Sequence, residues 1–289
     1  MLSEAEIADA VIWACRQEVM APKPGNVNCF SDGHNMHVDD FIASAHAIAP
    51  VMATRGLSVG ERIKQAIDAT QAVVSSNTNL GIVLLFAPLC CAIEDSNTPQ
   101  QLFNKLTQVL LSLDCHDARL CYQAIRKARA GGLGKAEQQD VANEPNVTLL
   151  QAMALAAERD LIARQYTNNY RDILQLLLPT LTNALRSGEG IEWATALAYL
   201  YSLSMMPDSL ICRKQSRELA EAVSEKAREF MSYLNENNRL EDFSDHLTAW
   251  DNELKQKAIN PGTSADLIAA TLLIHAFQER LSLYRISVP

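Results

Sequence analysis

Strand-like alternation of apolar and polar residues is nearly absent from these 289 residues, which excludes a sheet-based fold. No block rich in lysine or arginine occurs either: 25 basic residues face 34 acidic ones, for a formal charge of −9. That balance argues against a general nucleic-acid binder, which needs a basic face, but leaves room for a small anionic ligand gathered by a few local cations. C-x-x-C, H-E-x-x-H and Cys–His zinc spacings are all missing, and the cysteine count of seven is odd. Several cysteines lie in apolar runs such as APLCCAI, so the pattern predicts buried free thiols in a reducing compartment. The longest apolar run, GIVLLFAPLCCAI, is too short for a bilayer and contains Pro88, while the first twenty residues lack a basic start followed by an apolar stretch. The expectation is a cytoplasmic protein with neither membrane span nor signal peptide. No 20–50-residue repeat and no long linker interrupts the chain, so one domain over residues 1–289 is expected.

What the sequence does hold is helical periodicity around a full complement of apolar residues, 48% of the total. Twelve helices are predicted, at 3–20, 39–53, 59–76, 79–95, 99–112, 114–129, 147–165, 169–187, 189–206, 213–236, 238–257 and 264–283. The predicted fold is therefore all-α, a multi-helix bundle. Five joints between these helices carry more Gly, Pro, Asn and Asp than a turn requires: PKPGNV at 22–27, SNTNLG at 76–81, AGGLGKAEQQDV at 130–141, MPDSLICRK at 206–214 and INPGTSADL at 259–267. Loops and helix ends host chemistry because their backbone groups are free to meet a ligand, so the joints are expected to converge at one cleft.

Each joint admits a structural and a functional account. Lys23 sits between Pro22 and Pro24, which bias it towards an extended backbone and suit either a rigid connector or a fixed phosphate contact. Asn77, Thr78 and Asn79 are three capping residues where one suffices, and Gly81 permits close approach to the first turn of the next helix. The glycine loop around Gly132, ending at Asp140, fails the phosphate-loop pattern, since Arg129 and Ala136 stand where Gly and Ser or Thr are needed. Asp160 and Arg164 are spaced as a surface pair. Asp208 with Arg213 and Lys214 fits a metal-and-phosphate turn or a solvated one. Asp266 fits a capping-box acid of a Thr263-capped helix, or a cation ligand beside phosphate-binding amides. His116-Asp117 resembles the paired ligands of HD-type metal phosphohydrolases, also all-helical, which supplies one rival reading; a non-catalytic nucleotide-binding protein supplies another.

Taken in order, PKPGNV…DGHNM…DDFIASAHAI, NTNLG, PDS…RK and NPGTSADLI resemble the signature elements of the triphosphoribosyl-dephospho-CoA synthase family, over about residues 10–280. The resemblance implies an all-helical transferase that moves the 5-triphosphoribosyl unit of ATP to the 2′-hydroxyl of dephospho-CoA and releases adenine, with Mg²⁺ accompanying the triphosphate. On that footing Lys23, Gly25, Asn26, Asn77, Thr78, Asn79, Gly81, Gly132, Arg213, Lys214, Asn260 and Gly262 are expected to bind the nucleotide. Asp140, Asp208 and Asp266 are expected to hold the cation, Asp208 and Asp266 acting also in catalysis, and His34 or Asp117 to serve as general base. Asn28 stands where the citrate-lyase branch has Asp, and GHNM lacks an acid of that branch. Asn26 with AIAP and GGLG…DV instead resembles a branch whose members can accompany methanopterin-type one-carbon pathways, so a different alcohol acceptor is the alternative. No nucleic-acid or membrane partner is expected, and a homodimer is among the expected states.

Overall fold

The computed structural model describes residues 1–33, 36–132, 134–234 and 239–286. These form fourteen α-helices and no strand, the extended pairings among them being the isolated bridges Asn28–Ser31 and Gly33–Met36. Helices α1 (Glu4–Met20), α2 (Val38–Ala53) and α3 (Val59–Val73) lead to α4 (Leu80–Ile93), α5 (Pro99–Ser112) and α6 (Cys115–Ala128). After the glycine loop come α7 (Leu149–Ala156), α8 (Leu161–Thr167), α9 (Leu178–Arg186) and α10 (Ile191–Met205). The short α11 (Ser209–Lys214), then α12 (Arg217–Tyr233), α13 (Ser244–Gln256) and α14 (Gly262–Ile286), complete the set.

The all-α expectation agrees with this architecture; the helix count differs for local reasons. Stretch 147–165 is two helices because Asp160 adopts an extended backbone and caps α8, its Oδ1 accepting from the Ile162 and Ala163 amides. One apolar periodicity runs through both halves, so the break is invisible to it. Stretch 213–236 is preceded by α11, which starts from Asp208. A π-helical turn at Ile173–Leu177 leads into α9, whose second residue, Pro179, has no amide hydrogen to continue a regular ladder. Stretch 238–257 becomes a 3-10 turn at Leu240–Phe243 followed by α13, with residues 235–238 outside the described ones.

Elsewhere the caps follow the sequence closely. Ser3 and Glu6 close a reciprocal capping box at the start of α1, as Ser58 and Glu61 do for α3. The centre of the molecule is the pair α4 and α14. Every residue of α4 except Cys91 is buried, as expected of a helix apolar on all sides. Helix α14 packs on α4, α1 and α10. All seven cysteines are free; Cys15, Cys90 and Cys121 are buried, whereas Cys29 and Cys115 are exposed. Burial pushes the Cys90 and Cys121 thiols up to about 12, which makes them unreactive apolar filling. No described helix is long and apolar enough to cross a membrane.

Proline inside α4 removes the amide that would bond the carbonyl four residues earlier, that of Leu84. Tyr166 of α8, itself buried, donates its hydroxyl to the Leu84 oxygen at 2.6 Å, and Tyr170 donates to the Leu85 oxygen at 2.8 Å. The two tyrosines thereby staple the wall formed by α8 to the central helix. Tyr166→Phe leaves that carbonyl buried without its donor, and a loss of roughly 1–3 kcal/mol is expected from denaturant unfolding with an unchanged m value. An unaltered midpoint would remove the hydroxyl from the account of how α4 tolerates Pro88.

Candidate active site

Four helix beginnings meet around one cavity of about 460 Å³. Residues of the first turns of α4 (Leu80, Gly81, Ile82), α8 (Ile162, Ala163), α11 (Leu210) and α14 (Gly262, Ala265, Asp266) line it. Each helix start presents the positive end of its peptide dipoles, although Asn77, Asp160 and Asp208 cap amides of the first turns, so their convergence favours an anionic guest through the dipoles. The glycine loop supplies another wall through Gly131, Gly132 and Asp140. An apolar side is formed by Leu84, Tyr122, Ile125, Leu149 and Met153.

The start of α14 is fixed by Asp208. Its Oδ1 accepts from the Leu210 and Ile211 amides at 2.8 and 3.1 Å, capping α11. Its Oδ2 accepts from the Ser264 amide at 2.7 Å and the Ser264 hydroxyl at 2.8 Å, capping α14. Next to it, the Ser209 hydroxyl donates to Thr263 Oγ1 and accepts from the Leu161 amide. Three of the converging helices are thus tied at one buried point. Asp266, one turn into α14, is then no capping-box acid, since the cap comes from a residue 56 positions earlier. Its carboxylate faces the cavity with no hydrogen-bond partner among the described residues. Loss of hydration, followed by the negative charges of Glu18, Asp208 and Asp160, holds the Asp266 carboxyl well above the usual carboxylate range; Arg213 opposes this. Gly81 makes the approach possible: a β-carbon there would lie 2.0 Å from Asp266 Oδ2.

Cations stand opposite. Arg213 donates through Nη1 to Asp160 Oδ2 at 2.9 Å and through Nε to the Gly131 carbonyl at 3.3 Å, joining α11, α8 and the glycine loop. Arg159 and Lys214, both exposed, also line the cavity without an acidic partner among the described residues. Asn26 reaches the cavity and donates to Asn260 Oδ1 at 2.9 Å, which links the first joint to the fifth.

Of the residues singled out in the sequence, Asn26, Asn77, Thr78, Asn79, Gly81, Gly132, Asp140, Arg213, Lys214, Asn260, Gly262 and Asp266 line this one cavity. The three-residue cap resolves into separate tasks: Asn77 Oδ1 accepts from the Leu80 amide, Thr78 pairs with Ser44, and Asn79 pairs with Thr70. Other expectations need correction. Lys23 touches no ligand space: it is fully buried, its Nζ donating to the Val27 carbonyl at 2.7 Å and pairing with Glu18 Oε1 at 3.0 Å. Gly25 lies behind the cavity wall, its amide donating to Asp251 Oδ1. Asp117 does not line the cavity; it closes the capping box of α6 and accepts from the Gly60 amide at 2.7 Å, fastening α6 to α3. With Asp117 so engaged and His116 in solvent, the paired-ligand reading of that dipeptide fails. Asp208 is saturated by its four bonds, and Asp140 accepts from the Ala136 and Ala142 amides, which hold its carboxyl below the usual range. Asp140, Asp208 and Asp266 therefore form no common cage, and among the described residues no three His, Cys, Asp or Glu side chains could hold a metal ion together. Asp160 and Arg164 are no pair either, since Arg164 bonds Asp172. His34 lies outside the described residues.

Sequence reasoning missed Glu18. It is 2% exposed, lines the cavity and is held by Lys23. Burial raises its carboxyl above the ordinary value, and the Lys23 ammonium pulls it back. The signal was present: Ile7, Val11, Ala14, Cys15 and Glu18 share the buried face of α1, where a carboxylate is out of place unless it is used.

A family model for ATP:dephospho-CoA triphosphoribosyl transferase matches residues 4–284. A protein of Vibrio cholerae serotype O1, strain M66-2, described as "probable 2-(5''-triphosphoribosyl)-3'-dephosphocoenzyme-A synthase", is 26% identical over 286 residues, covering 89% of this chain and 82% of that protein. Its counterpart in strain ATCC 39315 matches equally. The crystal structure of a candidate triphosphoribosyl-dephospho-CoA synthase from Archaeoglobus fulgidus superposes with a TM-score of 0.65 at 23% identity, covering 82% of this chain and 98% of its own, which shows a shared fold.

Replacing Asp266 by Asn separates ligand binding from stability. The folded carboxyl titrates above its unfolded value of about 3.9, so its stabilising contribution is complete below that pH and is lost as pH rises through the folded value. Asparagine does not titrate. Melting temperatures of the ligand-free proteins should therefore draw together below pH ~4 and diverge towards pH 7, with Asp266→Asn the more stable there. A variant that loses ground to the native protein as pH rises would contradict the unpaired state of Asp266.

Proposed function

The chain belongs to the ATP:dephospho-CoA triphosphoribosyl transferase family, and on that premise we propose that it transfers the 5-triphosphoribosyl group of ATP to the 2′-hydroxyl of dephospho-CoA, releasing adenine. The observation that carries the reading to this cavity is its division of charge. Helix starts and the cations Arg159, Arg213 and Lys214 suit a polyphosphate, while the buried carboxylates of Glu18 and Asp266 stand beside them.

Breaking the bond from adenine to C1′ builds positive charge on the ribose ring, as in other glycosyl transfers. Buried carboxylates near the ring stabilise that charge, and the apolar side around Leu84, Ile125 and Met153 keeps water from intercepting it. The incoming hydroxyl must lose its proton. In this reading Glu18 accepts it, because Glu18 is buried at the cavity wall, its carboxyl is shifted upward towards a useful range, and Lys23 fixes its orientation. Lys23 is a positioning residue rather than a phosphate contact.

A divalent cation fits beside Asp266, whose carboxylate lines the cavity with no hydrogen-bond partner among the described residues. Asp266 would hold an ion such as Mg²⁺, which keeps most of its remaining coordination for phosphate oxygens and water. When bound, the ion would neutralise charge between the triphosphate and the acid wall.

The deciding experiment incubates the protein with ATP, Mg²⁺ and dephospho-CoA and follows adenine by chromatography and the acceptor by mass. One adenine released per triphosphoribosylated acceptor is expected; ADP or AMP as the only nucleotide product overturns the proposal. Glu18→Gln should lower kcat by roughly 10²-fold or more while Mg·ATP binding persists.

A further inference from the structure

A second lobe of about 340 Å³ opens beside the cavity, and the two share Met36, Asn77, Gly131, Leu210, Lys214 and Asn260. Its polar lining differs in kind from the main cavity. Arg129 and Lys214 enter it together with Ser76, Gln215, Asn77 and Asn260, and no acid lies among the described residues that line it. The main cavity, by contrast, is walled by Glu18, Asp140, Asp160 and Asp266. In a protein with a formal charge of −9, an acid-free recess holding two cations without ionic partners among the described residues is a local reversal of sign.

Arg129 adds an independent observation. It ends α6 in the left-handed conformation, with φ of 52°, at the position where helices usually place glycine. A bulky side chain is strained there, and strain of this kind clusters where a side chain has a task. The guanidinium makes no ion pair or hydrogen bond within the described protein that would account for its retention.

The reaction read above has two substrates, each a nucleoside carrying a polyphosphate. A cavity of about 460 Å³ lies within the span of roughly 300–1,000 Å³ that houses one small ligand, so the second substrate needs the adjoining space. Charge decides which substrate goes where. A nucleoside triphosphate arriving with a divalent cation is matched by carboxylates as well as cations, and the main cavity offers both. A diphosphate without a metal is matched by cations and neutral donors alone, and the lobe offers only those.

Resting on the transferase reading, we propose that the lobe beside α6 and α11 binds the diphosphate of the acceptor, with Arg129 and Lys214 as its cationic contacts. Lys214 borders both spaces and so stands between the two polyphosphates. Arg129 borders the lobe alone and sets the preference for a diphosphate-bearing alcohol.

Calorimetric titration of the full chain with dephospho-CoA, without ATP or divalent cations, and separately with Mg·ATP, tests this. Arg129→Gly relieves the left-handed strain, so the fold should hold or gain in melting temperature. It should nonetheless weaken dephospho-CoA about tenfold and leave Mg·ATP within about twofold, with Arg129→Lys restoring most of the loss. Equal or greater weakening of Mg·ATP, unchanged dephospho-CoA affinity, or no binding of dephospho-CoA to the native protein would each overturn the assignment. The expected binding pattern without adenine release in the transfer assay would sustain the lobe and refute the transferase reading, so the two failures are distinguishable.

Discussion

One carboxylate holds the site together. Asp208 accepts four hydrogen bonds, two from the start of α11 and two from Ser264 at the start of α14. It is buried, so its charge has no water to fall back on, and each lost donor exposes that deficit. Satisfying both helix starts with a single side chain forces them to face the same space. Asp266 and Gly262 are presented to the cavity as a result, and the Ser209–Thr263 bond carries the arrangement across to α8.

Around that knot the protein separates charges used for architecture from charges left open. Lys23 answers Glu18, and Lys255 with Ser31 and Asn28 answers Asp251, so the stiff segment after α1 is anchored to α13 rather than to a ligand. Arg213 answers Asp160. The cavity also holds charges with no ionic partner among the described residues: Asp266 on one wall, the exposed Arg159 and Lys214 on another. Leaving a desolvated carboxylate such as Asp266 unpaired is destabilising, and such a group is a common mark of a ligand site.

Much of this was legible in the sequence, and the exceptions share a cause. Helical periodicity gave the elements, and the excess of Gly, Asn and Asp at the joints located the cavity, down to Gly81 and Asp266. Caps were harder. Asp160 and Asp208 each terminate a periodic stretch that a hydrophobic pattern reads as continuous or as starting elsewhere, because capping is a choice of backbone angle at one residue. Roles set by distant partners were harder still. Nothing near Lys23 announces that Glu18 and the Val27 carbonyl will swallow its ammonium, and nothing near Asp117 announces the Gly60 amide 57 residues away. Glu18 itself was within reach, as a carboxylate on an apolar stripe.

The packing of α1 against α14 has a bearing on biosynthesis. Glu18 leaves the ribosome long before Gly262 and Asp266 do, so the pocket has no complete wall until α14 docks. Contacts of such wide sequence separation are slow to form, and the nascent chain must keep its apolar faces shielded meanwhile. Binding competence thus awaits the docking of α14, and a premature stop anywhere before that helix yields a protein without it.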